Sequence, residues 1–266
     1  MYYYHCNHRT NSYKIANQNL DIEIKKIYDE SKGRYGSPKI TKVLNNKDIK
    51  VSQKRVARRM KTLGLRSIIV KKYNHSSSSK ADDAKEYSNL LEQDFFANKP
   101  SQKWVGDITY IYTKETGWTY LAIVMDLYDL KVIGWSYGLN MTDDLVIDAF
   151  DKALINRGLV KDGLFHSDRG SQYTANDFEK KLSTLKIRHS YSKKGYPYDN
   201  ASMESFNAIL KKAEVNVNNY ETFNEAKLAI FEFIEGWYNS QRIHSTLGYI
   251  TPNDKYNDYI ASLALA

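Results

Sequence analysis

Three carboxylates stand where an acid needs a reason to be. Asp107 lies inside the alternating apolar stretch WVGDITYIYT, and Asp168 closes the short apolar run GLFHSD. Glu204 sits beside the apolar stripe Met203, Phe206, Ile209 and Leu210, in a helix that starts at about Asn200 after the loop KKGYPYDN. A carboxylate at the margin of a buried face costs stability unless it is hydrogen-bonded or binds something. Each acid alone reads equally well as a satisfied structural group. Together they repel one another unless protons or cations intervene. Hard divalent cations favour oxygen ligands, and magnesium needs few carboxylates because it keeps waters and binds substrate phosphate. Two such ions about 3.5–4 Å apart can activate an attacking oxygen and stabilise a leaving one. The chemistry expected of Asp107, Asp168 and Glu204 is therefore phosphoryl transfer assisted by Mg²⁺ or Mn²⁺, with two ions.

Such acids need a rigid support. WVGDITYIYT alternates Val105, Asp107, Thr109 and Ile111 with Ile108 and Tyr110, TYLAIVMDLYD is almost continuously apolar, and KVIGWSYG follows. These predict three successive strands, a meander whose second member is buried on both faces. DDLVIDAFDKALINRG then predicts a helix burying Leu145, Ile147, Ala149, Phe150 and Leu154, GLFHSD a fourth strand, TANDFEKKLSTL a helix and IRHSYS a fifth strand. Three strands followed by alternating helix and strand indicate an α/β layer with a mixed sheet. If the first and fourth strands are neighbours, Asp107 and Asp168 lie side by side at the end of the sheet where sites form.

The charge is uneven. Residues 1–100 hold 21 Lys and Arg against 10 Asp and Glu, whereas residues 101–266 hold 18 against 21. A polyanion, nucleic acid above all, is the expected partner of the first part. Residues 20–66 predict three short helices, with Pro38 in the first turn of the second and Ser52 capping the third. Their arrangement is a helix-turn-helix pattern with Lys54, Arg55, Arg58, Arg59 and Lys61 on or beside the polar face of the last helix, suited to phosphate contacts. A solvated basic face on a structural three-helix bundle is the competing reading. The expected division is a helical DNA-binding domain over 1–72, a Ser-rich linker and connecting helix over 73–100, and a catalytic core with a C-terminal helical extension over 101–266.

Other functions lose ground. The longest apolar run, YLAIVM, is too short to span a bilayer, so no membrane partner is expected. No signal peptide opens the chain, and the single Cys6 fits a reducing cytoplasm, with the protein on the nucleoid when bound to DNA. HCNH at 5–8 lacks a second ligand pair for zinc, and there is no phosphate-binding loop for ATP. Asp126 ends the second strand before a turn and reads as structural.

The blocks WVGDITYIYT, FHSDRGSQYT and YDNASMESFNAILK resemble the three acid blocks of the retroviral-integrase superfamily, and most closely the second-frame (OrfB) transposases of the insertion-sequence-three group. Thirty-five residues separate Asp168 from Glu204, the spacing of that superfamily's signature. GRYGSPKI, VSQKRVARRMKTLGL and WYNSQRIHSTLGYITPNDKY resemble the group's terminal blocks, so the resemblance runs over nearly the whole chain. It implies a ribonuclease-H-like core with Asp107, Asp168 and Glu204 as metal ligands. That core would nick DNA at the element's terminal inverted repeats and join the freed 3′ hydroxyl to target DNA. It also implies a homo-oligomer on DNA and a first-frame (OrfA) partner, reached by a frameshift fusion.

Around the acids, Arg169, Ser171 and Gln172 follow Asp168 in a polar turn suited to DNA. Lys193 and Lys194 open a loop expected to be mobile. Asn200 is expected to cap the helix or meet DNA, and Lys211, two turns beyond Glu204, to hold the phosphate backbone. His166 either orients a water or a phosphate, or simply packs the fourth strand. Arg242 and His244 read as scaffold or DNA-end contacts. A nuclease without strand transfer and a non-enzymatic DNA-binding regulator are the competing functions.

Overall fold

The computed structural model describes residues 12–69, 87–158 and 162–265. By its contacts the chain divides into two units, residues 1–72 and 73–266. Among the described residues no helix is long and apolar enough to cross a membrane. HCNH and most of the Ser-rich linker lie outside the described residues.

The first unit is α1 (Ser12–Glu30), α2 (Ser37–Asn46) and α3 (Gln53–Thr62). Its core is Leu20, Ile24 and Ile27 against Ile40, Leu44, Val56 and Met60. Ser52 caps α3 by accepting the Arg55 backbone N–H, and Gly64, at φ +68°, ends it in the left-handed region. α1 starts well before Leu20; its first turns are exposed, Tyr13 and Ile15 included, so no buried stripe marks them in the sequence. They are held instead by α3: Arg55 Nη2 donates to Asn17 Oδ1 at 3.0 Å, and its guanidinium lies 5.6 Å from the Tyr13 ring centre.

The second unit is built on β1 (Lys103–Thr113), β2 (Gly117–Asp126), β3 (Val132–Gly138), β4 (Leu164–Ser167) and β5 (Arg188–Tyr191), in the order β3-β2-β1-β4-β5. The first three form the expected antiparallel meander, and β1–β4 and β4–β5 are parallel. α4 (Asp143–Arg157) and α5 (Asn176–Thr184) cover one face, closing a core of Trp104, Val124, Ile133, Phe150, Phe165 and Phe178. On α4 the buried positions are Leu145, Val146, Ala149, Phe150 and Ala153, with Ile147 and Leu154 only partly covered. β3 and α4 touch so closely that a Cβ on Gly134 would stand 2.1 Å from the Ala149 carbonyl oxygen.

The opposite face meets α6 (Ala201–Ala213), α7 (Phe223–Phe231) and the π-helical turn Glu232–Tyr238 that continues it, with α8 (Pro252–Ala264) closing the chain. Phe223 stacks on Tyr137, and Trp135 Nε1 donates to Glu235. Asn239 treats the edge of β3 as a strand would, accepting from Val132 N–H and donating to Val132 C=O.

The expected connecting helix does not extend over its described part. Tyr87–Gln93 is irregular and lies beside β5, where Leu91 N–H donates to Ser190 Oγ and Ser88 C=O accepts from Tyr191 N–H. Leu91 is buried by that docking, so the apolar signal belongs to a strand edge.

Candidate active site

β1 runs far beyond its parallel neighbour β4. β4 pairs with it over Lys103–Val105 alone, and Val105 stands opposite His166. Continuing that register by two residues brings Asp168, just past the end of β4, abreast of Asp107. Asp107 is on the odd-numbered face with Val105 and Thr109, the face that α6 covers. Glu204 lies in the first turn of α6 and is exposed.

The electrostatics tie the three acids together. The Asp107 carboxyl is pushed up to about 7, by burial first, then by the charge of Asp168, with Glu204 adding to it. The Tyr173 phenol, fully buried, is pushed far up by burial and then by Asp107 and Asp168. Asn207 Nδ2 donates to Asp107 at 2.6 Å, and Asp168 Oδ1 accepts from the Gly170 N–H at 2.9 Å, which fixes its side chain in a tight turn. Among the described residues, no three Asp, Glu, His or Cys side chains are drawn together closely enough to hold an ion as they stand. Asp168 and Glu204 both act electrostatically on Asp107, but the three acids do not form a closed ligand set, in keeping with the mutual repulsion of uncompensated carboxylates.

The donor chemistry fits a hard cation. Besides the carboxylates, two buried amide oxygens, Asn200 Oδ1 and Asn207 Oδ1, have no hydrogen-bond donor. Their amide nitrogens are committed to the backbone oxygen of Gly106 at 3.1 Å and to Asp107. Two acceptors without donors, beside three acids, need positive charge or water around them.

The other expected residues divide. Asn200 occupies the cap position of α6 but makes no cap hydrogen bond; it is buried and ties the helix to β1, so it neither caps nor presents itself to DNA. His166 is buried with both ring nitrogens engaged, by Ser190 Oγ at 2.8 Å and Ser192 Oγ at 2.9 Å, and burial lowers its pKa to about 4. It is a neutral strand-packing histidine. Arg169 Nε donates to Ser192 C=O at 3.0 Å and its guanidinium lies over Tyr87, which commits that face of the side chain to β5 and its neighbour. Lys193 and Lys194 are exposed on a loop whose base is closed by Asp199, which accepts from Lys193 N–H and from Gln93. Lys211 sits with its Nζ 4.2 Å from the Tyr110 ring centre. In α3, Arg59 is engaged by both carboxylate oxygens of Asp21 and Arg55 by Asn17, so these two hold α1 in place; Lys54, Arg58 and Lys61 are exposed along one face. Asp126 is structural as expected, fully buried and accepting from Ser101 N–H and Tyr128 N–H.

Asn207 and Tyr173 are the site residues that sequence reasoning missed. Asn207 had a visible signal: it lies three residues after Glu204 and four before Lys211, on one face of α6.

Comparison with known proteins gives three domain matches: HTH-like domain over residues 14–73, and Integrase core domain over residues 97–197 and again over 185–252. The chain is 40% identical over 252 residues to the transposase for insertion sequence element IS904 of Lactococcus lactis, covering 94% of this chain and 98% of that protein. It is 37% identical over 262 residues to the transposase InsF for insertion sequence IS3A of Escherichia coli, covering 98% and 90%. Among solved structures, the HTLV-2 integrase catalytic core domain in complex with magnesium aligns at 20% identity and TM-score 0.44, over 59% of this chain and 97% of that one.

Proposed function

The chain belongs to the IS3 family of insertion-sequence transposases, polynucleotidyl transferases of DNA transposition and integration, and from that premise we propose that Asp107, Asp168 and Glu204 are the divalent-cation ligands of its strand cleavage and strand transfer. The observation that carries the assignment is that the β1–β4 register sets Asp168 abreast of Asp107, while α6 meets Asp107 through Asn207, three residues after Glu204. Bound Mg²⁺ or Mn²⁺, as two ions, would supply Lewis acidity to the phosphodiester and a polarised oxygen nucleophile. The chain's own residues do the rest. Asn207 fixes the Asp107 carboxylate, the Gly170 N–H orients Asp168, and Glu204 extends from a helix pinned to β1 through Asn200. The exposed Lys193 and Lys194 stand on the loop leading into that helix, where a phosphate backbone would pass. The DNA it acts on would be the element's terminal inverted repeats and a target duplex. Holding two ends at once favours a homo-oligomer, and the resemblance to second-frame proteins favours a first-frame partner or fusion.

Replacing Asp107 by Asn tests the cation site without relying on activity. The folded-state pKa of about 7 lies above the reference 3.8. The folded protein therefore holds the proton more tightly, and this contribution to stability is lost as pH rises from about 4 to about 7. Without divalent cation at pH 8, Asp107→Asn is expected to raise the thermal midpoint of the core by about 5 °C, as relief of one or two kcal/mol would in a unit of this size. Mg²⁺ is expected to raise the midpoint of the parent protein and leave that of the variant unmoved. Equal shifts in both would remove Asp107 from the site.

In the first unit, Lys54, Arg58 and Lys61 are the proposed phosphate contacts. Arg58→Ala is expected to weaken duplex binding and reduce the slope of log K against log salt by about 0.9, one phosphate's worth. Arg59→Ala is expected instead to lower the melting midpoint of the helical unit with no slope change of its own. Fluorescence anisotropy over a salt series separates the two.

A further inference from the structure

The β1–β2 hairpin carries an aromatic patch that no part of the catalytic reading uses. Tyr110, Tyr112 and Trp118 are 54%, 53% and 56% exposed, unlike the neighbouring Ile108 and Tyr120 on the same face, which pack against the core. Strand pairing sets Tyr112 directly opposite Trp118 and Tyr110 on its diagonal. The rings meet edge to face, with centres 5.1 Å and 5.3 Å from that of Trp118. Three large rings left in water on a sheet that has helices available to cover it call for a partner.

The surroundings say what kind. α6 lies along the edge of β1 that β4 leaves open: Asn207 meets Asp107, and one turn later Lys211 reaches Tyr110 at 4.2 Å. Asp107 and Tyr110, three residues apart and about 10 Å along β1, point to opposite faces of the sheet, and the Asn207–Lys211 side of α6 meets both at that open edge. Lys114, nearer the hairpin tip, is paired with Glu221 at 2.6 Å, so Lys211 supplies the cation at the inner end of the patch. Exposed π faces with one phosphate-binding cation are the equipment of a stacking platform for unpaired bases, whose affinity is tolerant of sequence.

We infer that Tyr110, Tyr112 and Trp118, with Lys211, form a platform on which unpaired bases of the DNA strand next to the scissile phosphate stack. This inference rests on the acid pocket being the cleavage site. The patch would hold the flank of the strand after it leaves the duplex, keeping it from re-pairing while the phosphodiester is exchanged.

The test uses the full chain with the element's own terminal duplex, either blunt or carrying a short single-stranded thymine flank. Binding is read by fluorescence anisotropy without divalent cation, and oligomeric state by sedimentation. Trp118→Ala is expected to lose about tenfold in affinity for the flanked duplex, within the range for one stacked base, and less than about twofold for the blunt one. Trp118→Phe, which keeps a ring, is expected to bind both as the parent does. The side chain is exposed, and matching melting curves would establish that both variants fold. Unchanged binding of the flanked DNA by Trp118→Ala would overturn the inference, as would equal losses on both duplexes. A shift of the variant to a smaller species in sedimentation, with no loss specific to the flank, would also overturn it by giving the patch to a second copy of the chain. Cleavage assays with Mg²⁺ separate this outcome from failure of the underlying reading. If the patch inference alone is wrong, Trp118→Ala cleaves flanked DNA at the parent rate; if Glu204→Gln cleaves as the parent does, the acid assignment is what has failed.

Discussion

Glu204→Gln is expected to reduce strand cleavage and strand transfer by at least about a thousandfold, the cost of several kcal/mol of charge stabilisation, while leaving affinity for the terminal duplex within about twofold. Glu204 suits this experiment better than the aspartates. It is exposed, and no hydrogen bond or ion pair engages its carboxylate among the described residues. The amide is nearly isosteric and α6 loses no contact, so a loss of activity reports lost charge and not lost fold. Removing the charge also relieves Asp107, whose pKa Glu204 helps to raise. The variant should therefore be slightly more stable than the parent above pH 7 when no divalent cation is present. A gel assay with a labelled element end reads cleavage, and the same end supplied with a free 3′ hydroxyl reads joining. Joining that survives while cleavage is lost would limit Glu204 to the hydrolytic step. Survival of both would exclude it as a ligand.

Why the acids could be picked out in advance, and their supports could not, follows from the range of the forces involved. Asp107 announces itself because alternation in β1 predicts which face each residue takes, and an acid among Val105, Thr109 and Ile111 violates that pattern. The meander follows from element order; the adjacency of β1 and β4, which element order leaves open, comes from the sheet itself. What stayed hidden are partnerships between distant positions. Arg55 and Arg59 look like DNA-facing cations until Asn17 and Asp21, each 38 residues away, are seen to engage them. His166 looks available until Ser190 and Ser192 of the neighbouring strand segment take both nitrogens. Asn200 has the residue type and position of a cap, yet its amide is spent on Gly106, 94 residues earlier. Alternation places Tyr110 on the same face as Ile108, but not whether a helix reaches far enough to cover it; α4 and α5 end short of the hairpin, and three rings are left in solvent. Periodicity reports a residue's face. Only packing reports what the face meets.

The largest effect on stability is expected away from the chemistry, at Arg157→Ala. The Arg157 side chain, in the last turn of α4, is 1% exposed and lies between two fully buried carboxylates, pairing directly with Asp129 and standing 3.8 Å from Asp126. Its guanidinium is also 3.8 Å from the centre of the Tyr256 ring in α8. Burial raises the pKa of both aspartates, Asp126 to about 6, and Arg157 is the main charge holding them down. Removing it leaves two carboxylates in a dry site, for which the cost is about 3–5 kcal/mol. At roughly 2–4 °C per kcal/mol, the midpoint should fall by about 6–20 °C at pH 8. The sign of the pH dependence distinguishes lost charge from lost packing. The two carboxylates of the variant are uncompensated, so their folded-state pKa values rise further above the reference. The penalty is then full above the folded-state values and shrinks as pH falls through them and the carboxylates take up protons. A deficit that is the same at pH 5 and pH 8 would assign the loss to packing against Tyr256. Adding Asp129→Asn to Arg157→Ala should recover part of the stability at pH 8, because one buried charge goes with the other. The consequence for catalysis is indirect. Asp126 stands opposite Trp104 in the β1–β2 register and accepts the Ser101 N–H just ahead of β1, so the network anchors the strand that carries Asp107. Arg157→Ala is therefore expected to lower cleavage in step with the folded fraction, and cleavage should return when the double substitution restores the fold.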